Sequence, residues 1–143
     1  MTEMGYTTKF EGSVKLGRKL TMAEAKELLE IANSDEAQKF TGIDAYFQWV
    51  PAETFQHIVW DGNEKFYKYV AQLQWLCTWL KERDISANGI LNYQGEETDD
   101  TGMIVVTANH VKARPADKPA AKNPKPLTLR RLQEMALEQI TAT

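Results

Sequence analysis

The sequence predicts an α+β domain, an antiparallel sheet with two helices on one face. Two observations favour this class. Runs in which apolar and polar residues alternate, rich in β-branched and aromatic types, recur along the first 111 residues. Between them lie two stretches whose apolar residues recur at the three- and four-residue spacing of an amphipathic helix. A mixture of short strands and helices of this kind is typical of one modest globular domain.

The first strand and the first helix are predicted near the start of the chain. Residues 6–16 alternate in polarity on either side of Gly12, which predicts a strand with a bulge at the glycine. Thr21 and Glu24 are spaced as a capping box, in which each side chain bonds a free backbone N–H group of the first turn. The apolar residues that follow share one face, so this helix is expected to lie on the sheet. Residues 33–42 form the loop out of it, with room for a short helical turn.

Four further strands are predicted as two hairpins. Residues 46–50 and 55–60 are aromatic and β-branched runs joined by a turn that begins with proline. Residues 90–94 and 103–107 form the second pair, around an acidic loop with a glycine at each end. With the helices, the order becomes β-α-β-β-α-β-β, a ferredoxin-like order with one additional strand. The second face of such a sheet carries no helix.

The longest helix is predicted over residues 62–83. Asp61 and Glu64 are spaced as a capping box at its start, and its last two turns are apolar around most of the circumference. Other parts of the protein must therefore cover it. The single cysteine, Cys77, lies in this helix and is expected to be a buried thiol, which indicates a reducing compartment.

The chain is expected to divide into an α+β domain over residues 1–113, a linker over residues 114–127 and a helix over residues 128–143. The linker is rich in proline, alanine and lysine, a composition typical of an extended spacer. A helix as short as the last one is marginal alone in water, so it should dock on its own domain, on a second copy or on another protein. Its predicted contact residues are Leu129, Leu132, Ala136 and Ile140.

Charge is distributed unevenly, although the formal net charge is only −3. Residues 1–111 contain 10 Lys and Arg against 17 Asp and Glu, whereas residues 112–143 contain 7 against 3. The acidic balance of the domain argues against nucleic-acid binding by the folded part. Because no secretory signal or membrane-spanning stretch is found, we expect a cytoplasmic protein without a membrane partner.

Three separated blocks form a combined signature. They are Q-W-V-P at residues 48–51, W-D-G-x-E-K-F-Y-x-Y-V at residues 60–70, and N-G-x-x-x-Y-Q-G-E-x-x-D-D-x-G-x-I-V-V at residues 88–106. In this order they resemble a family of small bacteriophage and prophage proteins, over roughly the first 111 residues. The resemblance implies a phage origin, the bacterial host cytoplasm and the fold of the domain. It implies no particular chemistry.

Candidate chemistry is limited to carboxylates and aromatic rings. The predicted loop between the last two strands groups four carboxylates that could hold a hard cation, with a solvated hairpin tip as the alternative: Glu96, Glu97, Asp99 and Asp100. His57, His110 and Cys77 do not have the spacing of a zinc site. The sequence also has no phosphate-binding loop and no nucleophile elbow. Neither a metal nor a cofactor is therefore expected.

Aromatic residues are dense in the domain and offer contact surfaces. On residues 46–50, Tyr46, Gln48 and Val50 point to one side, and Phe47 and Trp49 point to the other. One of these two sets should face away from the helices. Such a face could contact a partner protein or stack on RNA bases, although the acidic charge opposes the second use.

Two classes of function follow. The first is a non-enzymatic phage accessory protein that binds a host or phage protein, to inhibit or redirect it, through the aromatic face, the acidic loop and the terminal helix. The terminal helix also offers a surface for self-association. The second class binds or hydrolyses a nucleotide-like ligand in a pocket edged by the acidic loop and by Trp60, Tyr67 and Tyr93. The first is preferred because no nucleophile, base or phosphate loop is visible.

Overall fold

The computed structural model describes residues 8–63, 66–115 and 124–142, with side chains described as far as residue 138. The elements are β1 (Lys9–Leu16), α1 (Met22–Ala32), α2 (Gln38–Thr41), β2 (Trp49–Pro51), β3 (His57–Trp60), α3 (Tyr69–Lys81), β4 (Ala87–Gln94), β5 (Thr101–Thr107), β6 (His110–Arg114) and α4 (Leu129–Ala142). The six strands form one sheet in the order β2-β3-β1-β4-β5-β6, and each pair of neighbours is antiparallel. The predicted α+β class with an antiparallel sheet is confirmed.

β1 lies in the middle of the sheet and separates its two faces. Phe10 and Val14 are buried, whereas Lys9 and Lys15 are exposed, as expected where side chains alternate across a strand. The buried residues of β1 belong to a core cluster that also contains residues of α1 and α3. The pairing of β1 with β4 is uninterrupted, so the bulge predicted at Gly12 is absent there.

The start of α1 agrees with the sequence prediction. The Thr21 side chain accepts a hydrogen bond from the Glu24 backbone at 3.1 Å, and the Glu24 carboxylate accepts one from the Thr21 backbone at 2.9 Å. Arg18 donates to both carboxylate oxygens of Glu24, at 2.9 and 3.0 Å. This ion pair, together with the bonds from Thr21, lowers the pKa of Glu24 to about 2. Glu24 is therefore charged at neutral pH and fixes the first turn.

α3 begins at Tyr69, later than the sequence predicted. The predicted capping residue Asp61 instead accepts hydrogen bonds from the backbone and side-chain nitrogens of Asn63, at 2.9 and 3.0 Å. Its predicted partner Glu64 lies outside the described residues. Phe66 is only 1% exposed although it precedes the helix. Because the loop must bring this ring into the core, the helix starts after it.

β6 is a strand that the sequence analysis did not predict, since five strands were expected. A tight turn joins it to β5, and its central residues Ala108 and Asn109 have φ of 48° and 70°. These left-handed values are those of a two-residue hairpin loop, and Thr107 pairs with His110 across it. The strand runs to Arg114, so the sheet continues into the predicted linker.

Asn109 fixes this turn to the rest of the domain. Its Oδ1 accepts a hydrogen bond from the Ala87 backbone at 3.0 Å, and its Nδ2 donates to the carbonyls of Cys77 and Ile85 at 2.9 and 3.0 Å. Gln74 on α3 adds a bond to the Asn109 carbonyl at 3.1 Å. Asn109 is buried, so without its side chain the Ala87 N–H would lose its hydrogen-bond acceptor away from solvent.

The C-terminal segment docks on its own domain, one of the three expected alternatives. The Leu127 backbone N–H donates to the Pro51 carbonyl at 2.9 Å, and the Glu53 N–H donates to the Lys125 carbonyl at 2.8 Å. These bonds lie beside the edge of β2. A second core cluster then joins α1, β2 and β3 to the segment: Ala25, Leu29, Val50, Ala52, Val59, Leu127 and Leu132.

The predicted contact residues of the terminal helix can be placed individually. Leu132 is buried in the second cluster, and Leu129 packs against that cluster. Ala136 lines the same cleft as Leu129 and Leu132, together with Met22 of α1. The side chain of Ile140 and residues 116–123 of the predicted linker lie outside the described residues.

Replacing Asn109 with alanine should lower the free energy of unfolding by about 3 kcal/mol, because three hydrogen bonds from its side chain to backbone groups are lost at a buried position. Asn88 provides the matched control. It makes a hydrogen bond to the Ala108 backbone at an exposed position, and its replacement by alanine should cost less than about 1 kcal/mol. Urea unfolding of both variants measures the difference, and equal losses would contradict this role of Asn109.

Replacing Leu132 with alanine should lower the free energy of unfolding by about 2–3 kcal/mol, since a buried leucine leaves a cavity in the second cluster. Leu137, which is 62% exposed on the same helix, should tolerate alanine with a change below about 0.5 kcal/mol. Thermal and urea unfolding provide the measurement. Docking of α4 on its own domain would be wrong if Leu132→Ala proved as neutral as Leu137→Ala.

Candidate functional site

Two exposed tyrosines line one cleft of the domain. In the described part of the chain, the strongly exposed large apolar side chains are Leu137 on α4, Phe40 on α2, Tyr46 and Tyr67. Tyr46 and Tyr67 line a cleft of about 450 Å³, and one wall of it includes the start of α2. We call it the tyrosine cleft. It is lined by Asp35, Glu36, Ala37, Gln38, Lys39, Asp44, Ala45, Tyr46 and Tyr67.

The two tyrosines are exposed because each is next to a buried phenylalanine. Phe47, which follows Tyr46, and Phe66, which precedes Tyr67, are each 1% exposed. The Phe47 ring packs edge-on against Trp75 of α3, at 5.6 Å between centroids. With the phenylalanines directed into the core, the neighbouring tyrosines extend toward solvent.

Gln72 of α3 holds the two tyrosine segments together. This residue is 1% exposed, and its Nε2 donates to the carbonyl oxygens of Tyr46 at 2.8 Å and Tyr67 at 3.1 Å. Its Oε1 is buried and has no hydrogen-bond partner among the described residues. One buried amide therefore connects segments that are far apart in sequence and sets the spacing of the two walls.

The α2 side of the cleft is fixed by local hydrogen bonds. The Ser34 hydroxyl accepts from the Glu36 backbone at 3.0 Å, and Ala37 is buried at 2% exposure. At the other end of α2, Gly42 has φ of 74° and donates its N–H to the Gln38 carbonyl at 2.8 Å. A left-handed residue of this kind commonly ends a helix, and the chain can then turn toward Tyr46.

The charge of the tyrosine cleft is negative. Asp35, Glu36 and Asp44 line it, with Lys39 as the cation among the lining residues. Lys39 contacts the Glu36 carboxylate at 2.7 Å, and both side chains are more than 60% exposed, so the pair contributes little stability. Asp35 and Asp44 take part in no ion pair within the ranges that the structure describes. The cleft therefore offers aromatic faces together with carboxylates that are open to an incoming cation.

Trp49, expected at a contact surface, lies in the core instead. It is fully buried, its Nε1 donates to the Tyr69 carbonyl at 2.9 Å, and its ring packs edge-on against Phe10 at 5.1 Å. The other predicted set, Tyr46, Gln48 and Val50, also forms no aromatic face on the sheet. Val50 is buried in the second cluster and Gln48 is 4% exposed. The outward residues of β1 are instead Lys9, Glu11, Ser13 and Lys15.

The predicted ligand pocket is not assembled. Trp60 packs near Phe10 at 5.6 Å, and its Nε1 donates to the Asn63 carbonyl at 3.1 Å. Tyr93 lines a separate cleft on β1, β4 and β5, whereas Tyr67 lines the tyrosine cleft. Tyr93 lies directly over Gly102, where a Cβ atom would be 2.5 Å from its hydroxyl oxygen. Trp60 and Tyr93 both pack around Phe10, whereas Tyr67 lines a different cleft, so the structure does not bring all three residues to one pocket.

The acidic loop is an ordered hairpin tip. The Gly95 N–H donates to the Asp100 carbonyl at 2.8 Å, and the Asp100 N–H donates to the Glu97 carbonyl at 3.0 Å. Glu96 and Asp99 are exposed. Within the described ranges, no group of three His, Cys, Asp or Glu side chains is placed to hold a metal ion.

Cys77 is buried, and burial raises the pKa of its thiol to about 12. The thiol is therefore neutral at physiological pH and packs as an apolar side chain, as expected from the sequence. His57 lies beside Lys15 across the strand pair, and burial together with this charge lowers its pKa.

Among the described residues, no helix has the length and hydropathy to cross a bilayer.

Sequence reasoning identified Tyr67 but missed the rest of the cleft. Asp35 and Glu36 fall in the predicted loop at residues 33–42, Asp44 falls in no predicted element, and Tyr46 falls in a predicted strand. The available signal was the pairing of an outward tyrosine with an inward phenylalanine at 46–47 and again at 66–67. That signal shows exposure, but it does not show that the two segments meet.

Comparison of the chain with protein-family models, curated proteins and solved structures gives no match. The resemblance to phage proteins stays a prediction.

Replacing Gln72 with methionine should loosen the tyrosine cleft, because the carbonyls of Tyr46 and Tyr67 lose their shared donor. Hydrogen exchange should become faster in residues 45–47 and 67–69 than in the rest of the domain, with about 2 kcal/mol lost from the free energy of unfolding.

Gln74, on the same helix, is the matched control for this variant. Its amide bonds the Asn109 carbonyl and the Val111 N–H, so Gln74→Met should accelerate exchange at the β5–β6 turn and leave the cleft unchanged. If both variants loosened the same residues, the assignment of Gln72 to the cleft would fail.

Proposed function

We propose that this protein is a non-enzymatic binding protein and that the tyrosine cleft contacts its partner. The observation that carries the proposal is the pair of exposed tyrosines, Tyr46 and Tyr67, that line one cleft. Phe40 is also exposed, on the α2 helix that contributes to the same lining. Single exposed apolar residues need no explanation, but a group of them in a concave surface is typical of an interaction site. Tyrosine is also enriched among the residues that dominate binding energy at protein interfaces.

The structural support for Tyr46 and Tyr67 favours binding over chance exposure. Their backbones are tied by Gln72, and each follows or precedes a phenylalanine fixed in the core. A surface that is already ordered loses little conformational entropy when a partner binds. The acidic balance of the domain would guide a partner with a basic surface toward it.

The resemblance to phage proteins is the basis for the class of partner that we infer. We infer a phage accessory protein that acts in the bacterial host cytoplasm on a host or phage protein.

We also infer that the first four strands follow the ferredoxin-like order. The position of β1 between β3 and β4, with β2 outside β3, supports that order.

The nucleotide-like ligand site has less support. It requires Tyr67, Tyr93 and the loop at residues 96–100 to share a pocket, and the two tyrosines line separate clefts. The binding function therefore has the stronger structural basis.

The test is affinity capture from infected and uninfected bacterial lysates, with the bound proteins quantified by mass spectrometry. The double variant Tyr46→Ala/Tyr67→Ala should lose at least about tenfold of any partner that the wild-type chain retains, since two aromatic contacts are removed. Leu137→Ala removes an exposed apolar residue outside the cleft and should capture normally. Unfolding curves of all three proteins confirm folding.

The proposal is overturned if capture is unchanged in the double variant, or if Leu137→Ala loses the partner while the double variant keeps it. The second result would assign binding to the exposed side of α4.

A further inference from the structure

We propose that the tyrosine cleft receives an arginine side chain from a peptide segment of the partner protein. This inference rests on the proposed function, because it names the chemistry that the cleft would recognise. It follows from the combination of two exposed tyrosine rings with carboxylates in one concave surface. Neither feature alone would specify the occupant.

The aromatic part of the cleft favours a cation with a flat surface. The face of a tyrosine ring carries negative charge from its π electrons and attracts cations within about 6 Å. A guanidinium group is planar and weakly hydrated, so it stacks on such a face more readily than an ammonium group. Tyr46 and Tyr67 are 56% and 44% exposed, so both residues are accessible to a ligand in the cleft.

The acidic part supplies acceptors for the guanidinium N–H groups. Asp35 and Asp44 line the cleft from segments on either side of α2. Arginine presents five N–H donors in a fixed plane and can bond a carboxylate through two of them. Lys39 does not cancel this charge, since three carboxylates accompany it in the lining and it already contacts Glu36 at 2.7 Å.

A metal ion fits this cleft less well than an organic cation. A compact divalent ion needs several carboxylate oxygens within about 2.6 Å of one point. No such group of three acidic side chains is found in the described ranges, so the cleft carboxylates do not converge on a point. A guanidinium is broad enough to contact separate carboxylates and a ring together.

The same protein contains a complete example of this arrangement. The Arg83 guanidinium lies over the Trp79 ring, 3.7 Å from its centroid, and contacts the Glu27 carboxylate at 3.6 Å. The Trp79 Nε1 donates to the same carboxylate at 3.0 Å. Ring, carboxylate and arginine are thus combined within the fold, whereas the tyrosine cleft contains rings and carboxylates without an arginine in its lining.

The experiment is a titration of the full-length, ¹⁵N-labelled chain with N-acetyl-arginine methylamide, followed by amide chemical shifts. N-acetyl-lysine methylamide tests the shape of the cation, and the citrulline analogue tests its charge because it is nearly isosteric and neutral. We expect saturable shifts at Tyr46, Tyr67 and residues 35–45, with a dissociation constant of roughly 1–10 mM. Lysine should bind about two- to fivefold more weakly, and citrulline should not saturate.

Variants assign the binding to particular side chains. Asp44→Asn and Tyr67→Leu should each weaken arginine binding about two- to fivefold, because one removes a charge and the other removes a ring. Tyr67→Phe keeps the ring and should bind nearly as wild type. Glu30→Gln removes an exposed carboxylate of α1 outside the cleft and should leave binding unchanged.

The arginine proposal is overturned if citrulline gives the same shifts as arginine, or if the saturable shifts occur at residues 96–100 and not at the cleft. It is also overturned if lysine binds as tightly as arginine. These results would leave the proposed function intact wherever Tyr46→Ala/Tyr67→Ala still abolishes partner capture. If the arginine titration failed and the Tyr46→Ala/Tyr67→Ala variant captured the partner normally, both the arginine proposal and the proposed function would be overturned.

Discussion

The aromatic cluster around Phe10 is the constraint on which the rest of the structure depends. Its ring, on the central strand β1, lies within 5.6 Å of the rings of Trp49, Trp60, Phe66 and Tyr69 and within 6.5 Å of Tyr93. These contacts join β2, β3, β4, α3 and the loop before α3 through one buried side chain. Because Phe66 has to enter this cluster, α3 starts late and Tyr67 is left at the surface. The core thereby determines one wall of the tyrosine cleft.

The C-terminal segment completes the domain beside the edge of β2. Val50 and Val59 alternate with residues that face the main core, and their side chains pack with Ala25 and Leu29 of α1 in the second cluster. Leu127 and Leu132 cover them, and the backbone bonds from residues 125 and 127 occupy part of the β2 edge. An uncovered edge of this kind is a site of unwanted strand pairing. The tail therefore contributes to the core of its own domain.

Sequence patterns predicted local features well and long-range features poorly. The capping box of Thr21 and Glu24 is defined within four residues and was predicted correctly. The same pattern at Asp61 failed, because the packing of Phe66 against Phe10 of the distant strand β1 outweighed local capping. β6 was missed because the turn at Asn109 depends on partners far along the chain. For the same reason Tyr67 was identified alone, and its meeting with Tyr46 through Gln72 became visible only in the fold.

Site-specific photocrosslinking tests the central claim most directly. A benzophenone amino acid at position 40, beside the tyrosine cleft and outside its lining, should form one discrete adduct with a partner protein in infected cells. The same group at position 137, equally exposed on α4, should form none. A defined adduct from position 40 alone agrees with binding at the cleft. An adduct from position 137 alone, or equal yields from the two positions, would contradict it.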